Sequence, residues 1–547
     1  MQLLFNSYPF LLLFLPAVLL GWWGTRGGVS SWVKRIGFSA LLAGLVAVVA
    51  NNEGWHTTLL LTPLVVPAVL LGWWVAVDRP HYRLGFLAFM SWTFYVLSYH
   101  EGVKTGLVLL PLMLLSTTVD YWAGHAIQKE LDAGRDKRGR AKKVLIAALT
   151  FNLGLLFVFK YAGFFATSLN AVWGLFTSGG SAVSVPDIIL PIGISFYTFN
   201  SMSYTIDIYR QKVQPARGML EYAAFVALFP HLIAGPIVRY SDIDTQLRNL
   251  HHKLTGEMAS LGLWFLTIGL FKKLVIANAL ATHVDRLYGQ AGDLGMIGGW
   301  TAALGYALQL YFDFSAYSDM AVGLALLLGL RFPQNFNSPY KALNPSDFWR
   351  RWHISLSRWL TDYIYISLGG NRGGKLKTLR NLFITLFAGG LWHGAGWVFI
   401  LWGMGHGAGL VVHRIASEAG FVPPWKWLSR LMMFLFAVVL WVPFRSGNID
   451  LLKAGRSTDV MHQMFASMLG AHGLGLGELS YTDPTGLQVP LTLVGLIAAL
   501  LVFVNVAPNT WEFRFKPTRR LAVVTALLGV AAVLMLSAPS PFLYFQF

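Results

Sequence analysis

The chain has 547 residues, 55% of them hydrophobic and only 12% charged, with no cysteine and a formal charge of +17. Soluble domains carry about 25% charged residues, so the composition excludes a soluble enzyme and predicts a multi-pass membrane protein. Without cysteine there can be no disulfide, thiolate metal site or acyl-cysteine intermediate. The 14 histidines show no metal-binding spacing, so no metal is expected.

Apolar stretches at 8–24, 58–78, 105–119, 144–159, 258–281, 380–402, 427–444, 488–507 and 521–537 approach the length that spans a bilayer. Weaker ones lie at 36–50, 84–98, 186–206, 219–238, 294–312 and 398–412. Together they predict an all-α fold of roughly 11 to 14 membrane helices or re-entrant segments. Three regions are expected. Residues 1–83 are N-terminal hydrophobic helices including an extra span, and 84–415 form a core holding most intramembrane polar residues. Residues 416–547 are closing helices with a long, Gly-rich polar loop at 446–487. The first span has no cationic leader or cleavage site and reads as a retained helix. Arg26, Lys34 and Arg35 follow it, which places the N-terminus outside. The basic segment 128–143 has seven Lys/Arg against three acids and reads as a cytoplasmic loop. This placement of charge points to lipid and anionic cosubstrates as partners, not to nucleic acid.

Polar residues in these apolar surroundings are the candidate sites. "FPHLIAGPIVRY" (229–240) puts His231 between prolines, with Gly235-Pro236 interrupting the span as at a cavity-lining break. "QLYFDFSAYSDMAVG" (309–323) contributes Gln309, Asp313 and Asp319. The two aspartates are six apart and point in different directions on a helix, so one can orient a histidine or both can bond neighbouring helices. "NPSDFWRRWHISLSRWLTDYIY" (344–365) predicts one amphipathic interfacial helix capped by Asn344. Trp349, Trp352, Leu356, Trp359, Leu360 and Tyr363 share its apolar stripe, Arg350, Arg351, Arg358 and Asp362 lie opposite, and His353 sits at the edge. "LGGNRGGK" (368–375) is a Gly-rich basic turn without Walker spacing.

The last segment, "FAGGLWHGAG" (387–396), places His393 beside Trp392 among helix-packing glycines. Gly390/Gly394, Gly403/Gly407 and Gly405/Gly409 each recur at four residues, so backbones can approach closely. A shielded imidazole suits general-base work, and it equally suits a hydrogen bond between helices. His406 is thirteen residues on and cannot share a site with His393 along one straight helix.

"LPIGISFYTF", "FPHLIAGPI", "QLYFDFSAYSDMA", "FWRRWHISLSRWL", "LGGNRGG" and "GGLWHGAG", with the closing "SPFLYFQF", occur in this order. Together they resemble the bacterial, alginate O-acetyltransferase-like branch of the membrane-bound O-acyltransferases, from about residue 84 onward. The resemblance implies membrane helices around a central tunnel, in the bacterial inner membrane. It implies His393 as the catalytic histidine and His353 as a second catalytic or site-lining one. Trp392, Asp313, Asp319, Gln309 and His231, polar or bulky in apolar surroundings, are the candidates to line the tunnel or site. The donor implied is acetyl-CoA, with no permanently bound cofactor, and Arg350 and Arg351 are candidates for its phosphates or, equally, for lipid headgroups. The acceptor implied is an exopolysaccharide, alginate or cellulose, reached through an extracytoplasmic acetyltransferase and a synthase or export complex. The extra span before residue 84 departs from the family pattern and leaves the polymer open. A transporter or flippase of an activated carrier, or a scaffold for polysaccharide export, is the competing expectation; no internal repeat supports the former.

Overall fold

A computed structural model of the protein describes residues 3–24, 83–99, 102–134, 138–177, 181–249, 254–421, 423–475, 479–480, 489–513, 515–536 and 542–543. The extra span expected within 1–83, with Arg26, Lys34 and Arg35, therefore lies outside the described residues. The described chain is helical apart from a two-residue parallel pairing of Leu479–Ser480 with Val489–Pro490. Among the described residues, five helices are long and apolar enough to cross a membrane: Val103–Asp132, Arg138–Gly174, Gly256–Gly289, Trp397–Glu418 and Lys426–Ser446. Phe10–Trp22, Arg83–Leu97 and Leu491–Val506 are shorter apolar helices. The fold is that of an all-α polytopic membrane protein.

Two expected loops are shorter than their composition suggested. Residues 128–132 complete the Val103–Asp132 helix and 138–143 open the next, so most of the expected basic loop is helical. Lysine, arginine, glutamate and alanine are good helix formers and carry both helices past their apolar stretches. The expected polar loop at 446–487 likewise contains the helices Ile449–Lys453 and Ser457–Met468. Asn448 caps the first by accepting from the Asp450 N–H. The second buries Val460, Met461, Met464 and Met468, an i, i+3/i+4 stripe that the glycines around it obscured.

The chain divides into two compact units, one of residues 1–266, 320–333 and 536–540, the other of 267–319, 334–535 and 541–547. In the first, Phe10, Phe14, Phe94 and Phe229 form an aromatic cluster with centroid spacings of 5.5 to 6.3 Å. Buried Asp120 accepts from Asn152 Nδ2 at 2.8 Å. His231 belongs to this unit; it is fully buried, 3.4 Å from Asn200 Nδ2 and edge-on to Phe332.

In the second unit, Lys375–His393 and Trp397–Glu418 form an antiparallel helical hairpin turned by Gly394–Gly396. The glycine spacing works as the sequence suggested. A Cβ on Gly390 would lie 2.4 Å from the Phe399 carbonyl oxygen, and one on Gly403 would lie 2.9 Å from the Gly390 Cα. Only glycine permits this crossing. Beside the hairpin, Trp402, Trp441, Phe399 and Phe444 make a dense aromatic core.

Candidate active site

His393 is the last residue of its helix and only 4% exposed. Its ring meets those of Trp392, Trp402 and Phe444 edge to face at 5.0, 4.9 and 5.1 Å. It lines a small cavity with Leu310, Asp313, Phe314, Trp352 and Leu543, among others. The free space is about 10 Å³, roughly what one water needs. The hairpin creates this setting: the chain reverses just after His393, so the first turns of the returning helix bring Trp402 onto its ring.

His406 stays outside the cavity as expected, though the reversal and not a straight helix sets its position. Because 393 and 406 lie on opposing arms, both rings touch Trp402, at 4.9 and 4.8 Å. His406 is fully buried, stacks on Phe348, and has no hydrogen-bond partner on either nitrogen among the described residues. It does not line the cavity.

The single helix expected over 344–365 is three pieces: Pro345–Trp349, Ile354–Leu360 and a π-helical turn, Thr361–Tyr365. Asn344 caps the first as anticipated, accepting from the Asp347 N–H at 2.8 Å. The break falls at His353, held in the left-handed region at φ 44°. That conformation costs an ordinary residue about 1–2 kcal/mol. It is imposed by the strand-like segment 335–337, whose Asn337 N–H donates to the Arg351 carbonyl while Ile354 N–H donates to the Asn335 carbonyl. The stripe nevertheless stays inside: Trp349, Trp352, Leu356, Trp359, Leu360 and Tyr363 are all buried. They pack against protein, so the stripe faces the core even though the helix that carries it is broken.

His353 is fully buried, one layer behind the cavity, with its ring 4.8 Å from Phe314, 6.0 Å from Trp392 and 6.4 Å from His393. Its Nδ1 lies 3.1 Å from Asn335 Oδ1. Burial lowers the pKa of its imidazole from the ordinary value to about 3, so the ring is neutral.

Both aspartates are engaged by lysines of one π-helical turn, Lys272–Ala277. Lys273 donates to Asp313 Oδ1 at 2.6 Å and Lys272 to Asp319 Oδ2 at 2.6 Å. Asp313 Oδ2 accepts the Leu543 N–H, and Lys273 sits over the Phe542 ring. Of the two roles the sequence left open, bonding to neighbouring elements is the one that occupies the carboxylates. Gln309 is buried with no partner for Oε1 among the described residues, and does not line the cavity. Arg351 is bound to Asp347 at 2.9 Å, whereas Arg350 is exposed.

Sequence reasoning passed over Asn335, Lys273, Trp402, Trp441, Phe444 and Leu543. Two adjacent lysines inside an apolar stretch were a readable signal. The others are ordinary core residues until the hairpin brings them together.

The sequence signature of the membrane-bound O-acyltransferase family matches residues 215–442, which include both hairpin histidines and His353. The "Probable alginate O-acetylase" of Azotobacter vinelandii is 40% identical over 442 residues, covering 74% of this chain and 85% of its own. The "Peptidoglycan O-acetyltransferase" of Helicobacter pylori is 41% identical over 365 residues, 61% of this chain and 66% of its own. The "Teichoic acid D-alanyltransferase" of Bacillus subtilis is 25% identical over 282 residues, 50% of this chain and 71% of its own. With a buried histidine set at the turn of a glycine-crossed hairpin, and relatives of this closeness over most of their length, the chain belongs to the membrane-bound O-acyltransferase family.

Proposed function

We propose that the protein moves an acetyl group from cytosolic acetyl-CoA across the bacterial inner membrane toward an exopolysaccharide, with His393 as general base. The observation that carries the reading is His393 itself: a titratable ring enclosed by aromatic walls, opening on a small cavity that shields it from bulk water. In the step, an acceptor hydroxyl oxygen attacks the thioester carbonyl. The C–O bond forms, the C–S bond breaks, and the hydroxyl proton passes to neutral His393 and then to the departing thiolate. Apolar walls deny water the same attack. A tunnel through the protein would let donor and acceptor enter from opposite faces. Exposed Arg350 is the better candidate for a CoA phosphate, since Arg351 is held by Asp347.

Alginate, peptidoglycan and teichoic acid in the relatives' names support acylation of a polymer as the shared chemistry. Alginate or cellulose is the polymer proposed, reached through an extracytoplasmic acetyltransferase bound to this protein. The test is purified protein with radiolabelled acetyl-CoA, with and without candidate acceptor proteins. CoA release and a labelled acceptor are expected, both lost in His393→Gln. Near-normal transfer by that variant would remove the base role, and movement of an intact carrier without CoA release would favour a transporter.

A further inference from the structure

We infer that Asn335 is a positioning residue that holds the His353 proton on Nδ1, leaving Nε2 as a bare, buried proton acceptor on a ring 6.4 Å from that of His393. The inference rests on the acyltransfer reading and adds a residue to it. Asn335 Oδ1 lies 3.2 Å from the Ser355 backbone N–H, 2.8 Å from Ser355 Oγ and 3.1 Å from His353 Nδ1. A backbone N–H can only donate, so the amide atom facing it is the oxygen and not the NH₂. The other end agrees, since Asn335 Nδ2 donates to Ser318 Oγ at 3.0 Å. An amide oxygen carries no hydrogen, so His353 Nδ1 is the donor in their contact. A neutral imidazole has one N–H, and Nε2 is therefore bare.

The backbone reinforces this choice. Ile354 N–H donates to the Asn335 carbonyl, so the same residue holds the chain on one side of His353 and its ring on the other. The left-handed conformation of His353 is the local cost of that arrangement. Nε2 has no hydrogen-bond partner among the described residues although the ring is fully buried. An unmet buried acceptor is destabilising, and its retention beside His393 suits a group that receives a hydrogen bond or a proton during turnover. In this tautomer Nε2 cannot donate to a developing oxyanion, so stabilising that charge falls to other groups. The faces around the ring carry few charges. Phe314 comes from Met296–Leu327, whose neighbouring Asp313 is paired to Lys273; Phe336 comes from the segment before Asn337; Trp392 and His393 come from the hairpin. His393 is the titratable ring in contact with His353.

The experiment is solid-state ¹⁵N NMR of histidine-labelled protein in bilayers, with His353→Gln assigning the His353 signals. Wild type is expected to show protonated Nδ1 and bare Nε2 from pH 6 to 9, whether or not transfer is occurring. Asn335→Ala should give a mixture of tautomers and lower acetyl transfer by about tenfold or more, the scale of a misplaced proton-transfer group. Asn335→Asp keeps an acceptor for both Nδ1 and Ser355 while adding a negative charge. It should retain transfer and raise the pH at which the His353 ring takes up its second proton by about one to two units, read from the ¹⁵N spectra. If the alanine variant fails to fold, Asn335→Asp and the wild-type spectrum still decide. A protonated Nε2 in wild type, or an aspartate variant whose His353 titration overlays that of wild type, overturns the inference. Normal transfer by His393→Gln with the expected Nδ1–H spectrum would instead overturn the reading on which it rests.

Discussion

Replacing Gly390 with alanine is the sharpest test of how the hairpin makes the site. The added Cβ would lie 2.4 Å from the Phe399 carbonyl oxygen, about 0.6 Å inside the 3.0 Å that real Cβ contacts respect. The obstacle is backbone, so no side chain can rotate away and the two arms separate by about that amount. Overpacking of this kind costs about 1–3 kcal/mol. The cost in rate is larger than the cost in stability suggests. His393 lies three residues beyond the crossing, and Trp402, whose ring it touches, adjoins Gly403 on the other arm. A misplacement near 1 Å can cost about 100-fold in rate, so a shift of this size should lower acetyl transfer by roughly 10-fold or more. The assay pairs thermal unfolding in detergent with CoA release under saturating donor and acceptor, using Gly495→Ala as control because a Cβ there meets nothing within 4 Å. A Gly390→Ala protein with wild-type rate and stability would show that the crossing does not position His393.

Removing one partner of the buried Lys273–Asp313 pair, as in Asp313→Asn, should destabilise by about 3–5 kcal/mol, and Lys273→Met with Asp313→Asn should recover much of it; thermal unfolding of the two variants against wild type decides, and no recovery in the double variant would refute the pairing. His406→Phe keeps the ring contacts and deletes two buried nitrogens that have no partner among the described residues, so it should unfold at least as high as wild type; destabilisation beyond about 1 kcal/mol would reveal a partner for them. Arg358→Cys, exposed in a cysteine-free chain, should label with an impermeant thiol reagent from the cytoplasmic side alone, and labelling from outside would reverse the proposed direction of transfer.

Helical character and the close glycine crossing were legible because each is a local property of spacing. So was the burial of Trp349, Trp352, Trp359 and Tyr363, since the apolar stripe marks what must leave water even where the helix carrying it breaks. The break itself was not legible. His353 is an ordinary helix residue by propensity, and its left-handed turn is imposed by hydrogen bonds to Asn335 and Asn337, remote in sequence. The relation of His406 to Trp402 was hidden for a similar reason: angles along a straight helix do not apply once the chain reverses at Gly394–Gly396. Asp313 and Asp319 were recognisable as polar residues needing partners. Which partner each takes depends on a π-helical turn that sets Lys272 and Lys273 side by side, and no periodicity announces it.

The cavity beside His393 has room for one water and therefore not for an acetyl thioester. The resting site is smaller than the group it is proposed to act upon. Opening it means separating packed aromatic and aliphatic walls, and the free energy for that has to come from contacts the donor makes elsewhere. Entry is thereby coupled to recognition of the whole donor. A truncated thioester that lacks the nucleotide should be slow to react even when saturating, because it brings too little binding energy to enlarge the space it needs.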